Sequence, residues 1–431
     1  MLVFVAVKAQ STIQDSIPLS LENVWKKAAV NSKEIKRSQL HSKSGSEAVK
    51  NAKSKQLPEI GINANYGKLA NIPIFNEGIL HHADFIPLED HSIYGVTLDS
   101  YFEIYNGQRL KTNIQKESVK QELSKYMEEE TTLSIHFEVA QAYLKLQLYL
   151  QYEKLVKQNV HQSEARLALI QKLYNGGVVL KSDLLRAQLL LSKQKIALTE
   201  IKNNAELVMQ ELNIFMGNPD SQKLKPTDQI GFQQDRKTMT YDEYVHNAID
   251  KSPLQKIANQ KVELGILNIA ALKSDKLPRI GLFGEYSYSY PQIKLYPYEN
   301  APYLLGVVGV KLSYSISSIY HDVHKEEEAK ILLEEEKIAR ENVEDNLRKV
   351  INKSYQRYIE DQEKKEVFQL NIEQATENYR ILNQTYFNQL SLITDLLDAD
   401  TQLLQAQIDL ISAKIAEQLH YCELLKNTGD L

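Results

Sequence analysis

Two pairs of histidines are the first residues in this sequence whose spacing could do chemistry. His321 and His324 stand three apart, which puts both imidazoles on one face of a helix, and His81 and His82 are adjacent. Two rings can begin a zinc site, but a complete site needs a third or fourth ligand. No cysteine or carboxylate is spaced with either pair to supply one, so both pairs read as solvated histidines and no metal is expected. The single cysteine, Cys422, has no internal partner for a disulfide. No P-loop, nucleophile elbow or paired-carboxylate motif is present. The sequence therefore offers no catalytic residue and no cofactor site, and points away from an enzyme. A net charge of −5 without a concentrated basic face gives no reason to expect nucleic acid.

What the sequence does build is long helices. There are 11 prolines, with none between Pro87 and Pro219 and none after Pro302. Two very long stretches thus lack the strongest helix breaker. No apolar run reaches the ~18 residues of a transmembrane helix. Residues 1–9 read as the remnant of a secretory signal, with Val7-Lys8-Ala9 as a cleavage site before Gln10. An exported chain can still enter a membrane, because β-barrel strands leave only a weak hydropathy signal. Tyrosine is abundant, 24 against 10 Phe and the single Trp25.

An internal repeat organises the chain. Residues 52–66, AKSKQLPEIGINANY, return at 272–286 as LKSDKLPRIGLFGEY, an offset of 220. At the same offset SLENVWKKAAVNS (20–32) falls on TYDEYVHNAIDKS (240–252) without a gap. The expected order is a first repeat at 10–214, with strands at about 57–67 and 92–103 and long helices over about 108–214. A linker or small mixed region follows at 215–239. The second repeat, 240–431, has strands at about 277–290 and 303–317 and long helices over about 321–427. Helices are expected to begin at Ser20 and Thr240, each a capping residue followed by acidic side chains, and to end before Leu57-Pro58 and Leu277-Pro278.

The strands alternate with period two. Ile60, Ile62, Ala64 and Tyr66 oppose Gly61, Asn63 and Asn65; Tyr94, Val96 and Leu98 oppose Gly95, Thr97 and Asp99. In the second repeat Ile280, Leu282, Tyr286 and Tyr288 oppose Glu285, Ser287 and Ser289, while Val308, Val310, Leu312 and Tyr314 oppose Lys311, Ser313 and Ser315. Each strand is long enough to cross a bilayer when tilted, and tyrosines gather near the ends. Four strands cannot close a barrel alone, and lipid tolerates no open edge. Either the sheet is soluble and half-buried, or several chains share one barrel, with three chains pooling twelve strands. On the barrel reading Asn63, Asn65, Thr97, Asp99, Glu285, Ser287 and Lys311 line the lumen.

From Gln108 to about Leu173, and again from about His321 to Tyr386, nothing interrupts a helical pattern; about 100 Å of rod results in each case. Val343, Leu347, Ile351, Tyr355 and Tyr358 recur at the three- and four-residue steps of coiled-coil packing. Each rod then turns back, through LYNGGVVLKSDLLRAQ (173–188) in one repeat and TYFNQLSLITDLLDAD (385–400) in the other, now at an offset of 212. Gly176-Gly177 suits a tight reversal, whereas Asn388-Gln389 must make it without glycine.

The tandem repeat, the Leu-Pro-x-Ile-Gly strand start after a helix, the strand end at Asn106-Gly107-Gln108-Arg109 and the Gly177-Val178-Val179-Leu180-Lys181-Ser182-Asp183-Leu184-Leu185-Arg186 turn together resemble the TolC-type outer-membrane efflux factors over nearly the whole chain. The resemblance implies a mainly α fold with a membrane β-barrel: a homotrimer with a twelve-stranded barrel in the outer membrane of a Gram-negative bacterium, on a helical coiled-coil tunnel that projects into the periplasm. It implies a passive exit duct of a tripartite efflux or type I secretion system. The implied partners are a periplasmic adaptor (membrane fusion protein), an inner-membrane pump of RND or ABC type, and outer-membrane lipid. By the same resemblance Asp395 and Asp398 form the periplasmic aperture, and Asp183 and Tyr386 a lock between helix pairs. Gly176, Gly177, Leu180, Asn388 and Gln389 are the helical tips that contact the adaptor. The family's lock also uses an arginine where this chain has Ser391, and its glycine pair after the fourth strand is replaced by Ser318-Ile319-Tyr320-His321. The alternative is a soluble periplasmic coiled-coil adaptor or scaffold, against which the duplicated strand pairs argue.

Overall fold

The computed structural model describes residues 17–85, 91–230, 239–294, 297 and 299–431. The expected signal remnant at 1–9 lies outside them, as do residues 231–238 of the expected linker. In chain order the elements are β1 (Ile17–Leu19), α1 (Leu21–Asn31), α2 (Lys33–Ser54), β2 (Glu59–Lys68), β3 (Pro73–Ile74), β4 (Asp84–Phe85) and β5 (Ser92–Tyr105). Then come α3 (Arg109–Asn175), α4 (Lys181–Met216), β6 (Leu224–Pro226), α5 (Tyr241–Lys251) and α6 (Pro253–Asp275). The chain closes with β7 (Arg279–Tyr290), β8 (Tyr303–Ser313), α7 (Ser318–His321), α8 (Val323–Phe387) and α9 (Ile393–Thr428).

Capping fixes the helix starts. The Ser20 hydroxyl accepts from the Asn23 amide at 3.4 Å. At Thr240 the arrangement is reciprocal: its hydroxyl accepts from the Glu243 amide, and the Glu243 carboxylate accepts from the Thr240 amide at 2.7 Å. The single helix expected ahead of each first strand is in fact two. Ser32 and Ser252 break it, at ψ 125° and 128°. Pro253 forces the second break, because a residue before proline leaves the helical region. Ser32 holds the aligned place and instead caps the new helix, its hydroxyl accepting from the Ile35 amide at 3.4 Å. Past the fourth strand, α7 occupies the stretch that lacks the glycine pair.

The residues fall into two compact units, each drawing on both repeats. One comprises Ser42–Ser124 and Ala258–Ala339. Its centre is a four-stranded antiparallel sheet in the order β2-β5-β7-β8, so consecutive strands pair and β2 and β8 are left as edges. The register Asn63↔Thr97↔Ser287 and Gly61↔Asp99↔Glu285 puts the polar positions on one face. On the opposite face lie Ile62, Leu98 and Tyr286, also in register. That apolar face is uncovered: Ile62 is 73% exposed and Val308 87%. Gly107 closes the turn into α3 at φ 62°. A Cβ there would come within 2.5 Å of the Leu277 Cβ, so glycine is required.

The other unit comprises Met1–His41, Lys125–Ile257 and Arg340–Leu431 and, among the described residues, is helical apart from the two short parallel strands β1 and β6. Its cores repeat with the sequence. Val24 and Ala28 of α1 are buried among Ile135, Val139, Leu146 and Leu212. Their counterparts Tyr244 and Ala248 of α5, 220 residues on, are buried among Ile351, Tyr358 and Leu424. The Tyr143 hydroxyl donates to the Asp228 carboxylate at 2.9 Å, and the Trp25 indole donates to the His136 carbonyl at 2.8 Å. Burial and then Asp228 push the Tyr143 phenol far up, keeping it a donor.

Candidate functional site

Two helical hairpins, α3–α4 and α8–α9, meet within the helical unit. Their reversals are the same structure built from different residues. Gly177 takes φ 72° and, 212 residues later, Gln389 takes φ 60°. In both, the left-handed residue donates three back, to Tyr174 and Tyr386 respectively, each at 2.9 Å. The next amide, of Val178 or Leu390, donates five back, to Leu173 or Thr385. These bonds satisfy carbonyls left over at the helix end, as in a Schellman closure. Leu180 and Leu392, both exposed, then precede the returning helices, with Asp183 and Asp395 in their first turns. Carboxylates there complement the positive end of the helix.

Ile170, Leu184 and Ala187 of one hairpin pack against Tyr386, Ile393, Leu396 and Leu397 of the other. Beside this core is a cleft of about 350 Å³ that includes Asp183, Arg186, Tyr386, Gln389 and Ser391. The structure thus brings Asp183 and Tyr386 to one place. It shows no hydrogen bond between them: the Tyr386 hydroxyl is buried without a partner. Burial first, and then the Asp183 carboxylate, push the Tyr386 phenol above its ordinary range, so it stays protonated and able to donate. Ser391, in the place where the resemblance expects an arginine, accepts from the Thr385 hydroxyl at 3.0 Å.

Asp395 and Asp398 lie one turn apart on α9, both exposed. Asp395 accepts from the Leu392 amide at 3.4 Å. Asp400, two residues further, turns inward. Both its oxygens accept from Arg166 of α3 at 3.0 Å, with side chains 3% and 6% exposed. Arg166 also donates to the Tyr379 hydroxyl of α8 at 2.9 Å. The sequence reading missed this network. Its one signal is that Tyr152, Asn159 and Arg166 stand seven apart on α3 and all reach α9.

In the sheet unit, Asn63, Asn65, Thr97, Asp99, Glu285, Ser287 and Lys311 share one face by register. Asn63 donates to Asp99 at 2.7 Å across β2 and β5. Leu305 and Val307 of β8 sit on that face as well, so it is polar with an apolar border. His321 and His324 are exposed, and among the described residues no group of three His, Cys, Asp or Glu is placed to hold a metal.

Residues 24–218 match the model of the outer membrane efflux protein family. No curated protein matches the chain. Solved structures match over nearly its whole length. The outer-membrane channel OprN superposes with a TM-score of 0.82 at 15% identity, covering 95% of this chain and 90% of that one. The outer membrane protein VceC from Vibrio cholerae gives 0.78 at 14%, covering 95% and 96%. The MtrE outer membrane channel of Neisseria gonorrhoeae, in its open state, gives 0.76 at 17%, covering 95% and 88%. At these identities the fold is what is shared.

Proposed function

We propose that this chain, whose residues 24–218 match the model of the outer membrane efflux protein family, is a member of that family and one protomer of a trimeric exit duct in the outer membrane of a Gram-negative bacterium. The observation that carries this reading is the open sheet. Its apolar face is exposed, and among the described residues its edge strands β2 and β8 are each paired with a neighbouring strand on one side only. In lipid an open edge leaves backbone amides and carbonyls without partners, whereas closure with other copies pairs all of them. Three copies in rotation place β8 of one beside β2 of the next, give twelve strands, and turn Asn63, Thr97, Asp99, Glu285 and Lys311 toward water. The tyrosines Tyr66, Tyr94 and Tyr290, in register near one end of the sheet, suit a membrane–water interface.

The helical hairpins supply the periplasmic gate. Three copies of Asp395 and Asp398 converge there, and Asp183 with Tyr386 fastens the helix pairs. Carboxylates brought together by symmetry repel one another and attract multivalent cations. Closure therefore rests on helix contacts, and a periplasmic adaptor pressing on Gly176, Gly177, Leu180, Asn388 and Gln389 releases it. An inner-membrane pump of RND or ABC type supplies the energy; the duct itself is a passive conduit without catalysis.

The test is purification and bilayer recording. The full chain is expected to need detergent for extraction, to migrate as a trimer that dissociates on heating, and to conduct in planar bilayers with block by a trivalent cation. Asp395→Ala and Asp398→Ala should each raise conductance and weaken that block. A water-soluble monomer would overturn the duct, and unchanged block in both variants would overturn the gate.

A further inference from the structure

The polar face of the four-stranded sheet also carries two aromatic rings. The register places Tyr101 opposite Phe283 and, two residues along each strand, Asp99 opposite Glu285. Both rings lie down on glycine. The Tyr101 ring comes within 2.5 Å of where a Cβ on Gly281 would sit, and the Phe283 ring within 2.8 Å of one on Gly309. With one side set against the strands both rings are half-buried. Among the described residues no cation lies over either of them. A ring so placed offers its other face as a platform for an apolar body or, through its quadrupole, for a cation.

The acid row beside the rings is unbalanced. Like charges directly opposite each other on a sheet are destabilising. Asp99 is bonded to the Asn63 amide and Glu285 is exposed, and among the described residues neither meets a cation. Lys311, opposite Gly281, is on the far side of the aromatic row. Two residues beyond Glu285 the Ser287 hydroxyl is 1% exposed and without a partner. The chain thus gathers charge and polarity here that it does not satisfy itself. Two residues along a strand span about 7 Å, which is the separation of the rings from the carboxylates. We propose that this face binds amphiphilic organic cations in passage: the apolar or aromatic body lies on Tyr101 or Phe283, and the charge settles between Asp99 and Glu285. The rings favour cations that carry an apolar body, and the carboxylates favour cations over anions. The proposal rests on the duct reading, in which this face lines the lumen and three copies repeat both rows around one wall.

Saturation-transfer NMR on trimers of the full chain, reconstituted in nanodiscs, tests it with three probes. Benzyltriethylammonium carries ring and positive charge, tetraethylammonium the charge alone, and benzenesulfonate a ring with the opposite charge. The parent should bind benzyltriethylammonium about tenfold more tightly than tetraethylammonium and show no saturable binding of benzenesulfonate. Tyr101→Leu/Phe283→Leu should bring benzyltriethylammonium to the level of tetraethylammonium, whose own binding stays as in the parent. Asp99→Asn/Glu285→Gln keeps the side-chain shapes without the charge and should weaken benzyltriethylammonium about tenfold. Rings that serve only to cover glycines would lower trimer yield when replaced and leave the ratio of the two cations unchanged. Equal binding of both cations by the parent overturns the inference. So does saturable binding of benzenesulfonate, or benzyltriethylammonium binding that survives either double variant unchanged. Should the leucine variant fail to assemble, the charge variant, which changes no volume and relieves repulsion, still decides. Failure of the duct reading looks different: a water-soluble monomer, seen before any probe is added, removes the lumen and the inference with it. A conducting trimer without the preference removes the inference alone.

Discussion

Gln389 does in the second hairpin what Gly177 does in the first, at φ 60° against 72°. A side chain in the left-handed region crowds its own backbone, which glycine avoids. Gln389→Gly is therefore expected to stabilise the protein by about 0.5–1 kcal/mol, and Gly177→Gln to destabilise it by about 1 kcal/mol. Thermal unfolding of both variants checks the pair. Equal losses in both would mean that the Gln389 side chain makes a contact worth more than the strain. Tyr386 belongs at the same scale. A buried hydroxyl without a partner costs about 1–3 kcal/mol, so Tyr386→Phe should leave stability unchanged or raise it. If Asp183 and Tyr386 lock the helix pairs during gating, that same substitution should still alter voltage-dependent opening. A melting point that falls by several degrees would show that the hydroxyl is satisfied after all.

At the scale of elements, neighbouring residues of one strand do opposite things. Ile62 is on the apolar face and Asn63 on the polar face of β2. Arginine at a lipid-facing barrel position costs about 2–4 kcal/mol near the bilayer midplane. Ile62→Arg should therefore cut the yield of folded trimer sharply, while Asn63→Arg should fold and shift ion selectivity toward anions. Equal yields for both would show that the sheet does not meet lipid. Helix starts are the other elements that can be weighed singly. Thr240→Ala removes one half of the capping box on α5 and should cost about 1 kcal/mol. The loss is read locally, as faster hydrogen exchange through Tyr241–Lys251, the helix that buries Tyr244 and Ala248.

At the scale of the whole molecule, the two edges decide assembly. Among the described residues a single chain leaves β2 and β8 each paired on one side only, and long exposed edges are sites of pairing between chains. With Cys422→Ser as background, cysteines scanned along β2 and β8 together should give oxidised trimers in at least one register. No cross-linked species in any register would sink the shared barrel. The compact units matter here too, because each is assembled from both repeats. Neither repeat contains a complete unit, so expressing residues 10–214 or 240–431 alone should yield no folded protein.

Much of this was written in local pattern. The 220-residue offset was visible as a repeat of Lys-Ser, Leu-Pro and Ile-Gly, and the structure carries it down to Val24 and Tyr244 in matching cores. Alternation fixed which strand residues share a face, because side chains on a strand alternate whatever the strand packs against. The turn at Asn388-Gln389 was legible from its alignment with two glycines. Ser32 was not legible as a break: no proline follows it, and serine tolerates helix as well as a cap. Nor was the Arg166–Asp400 pair, which joins residues 234 apart. Periodicity says which side of a helix is inward; only the packing of three helices around one point decides that a charge there meets its opposite. The same holds for the Tyr386 hydroxyl, buried beside Asp183 without a bond: sequence sets the residue, and the tertiary structure sets what its polar atom can reach.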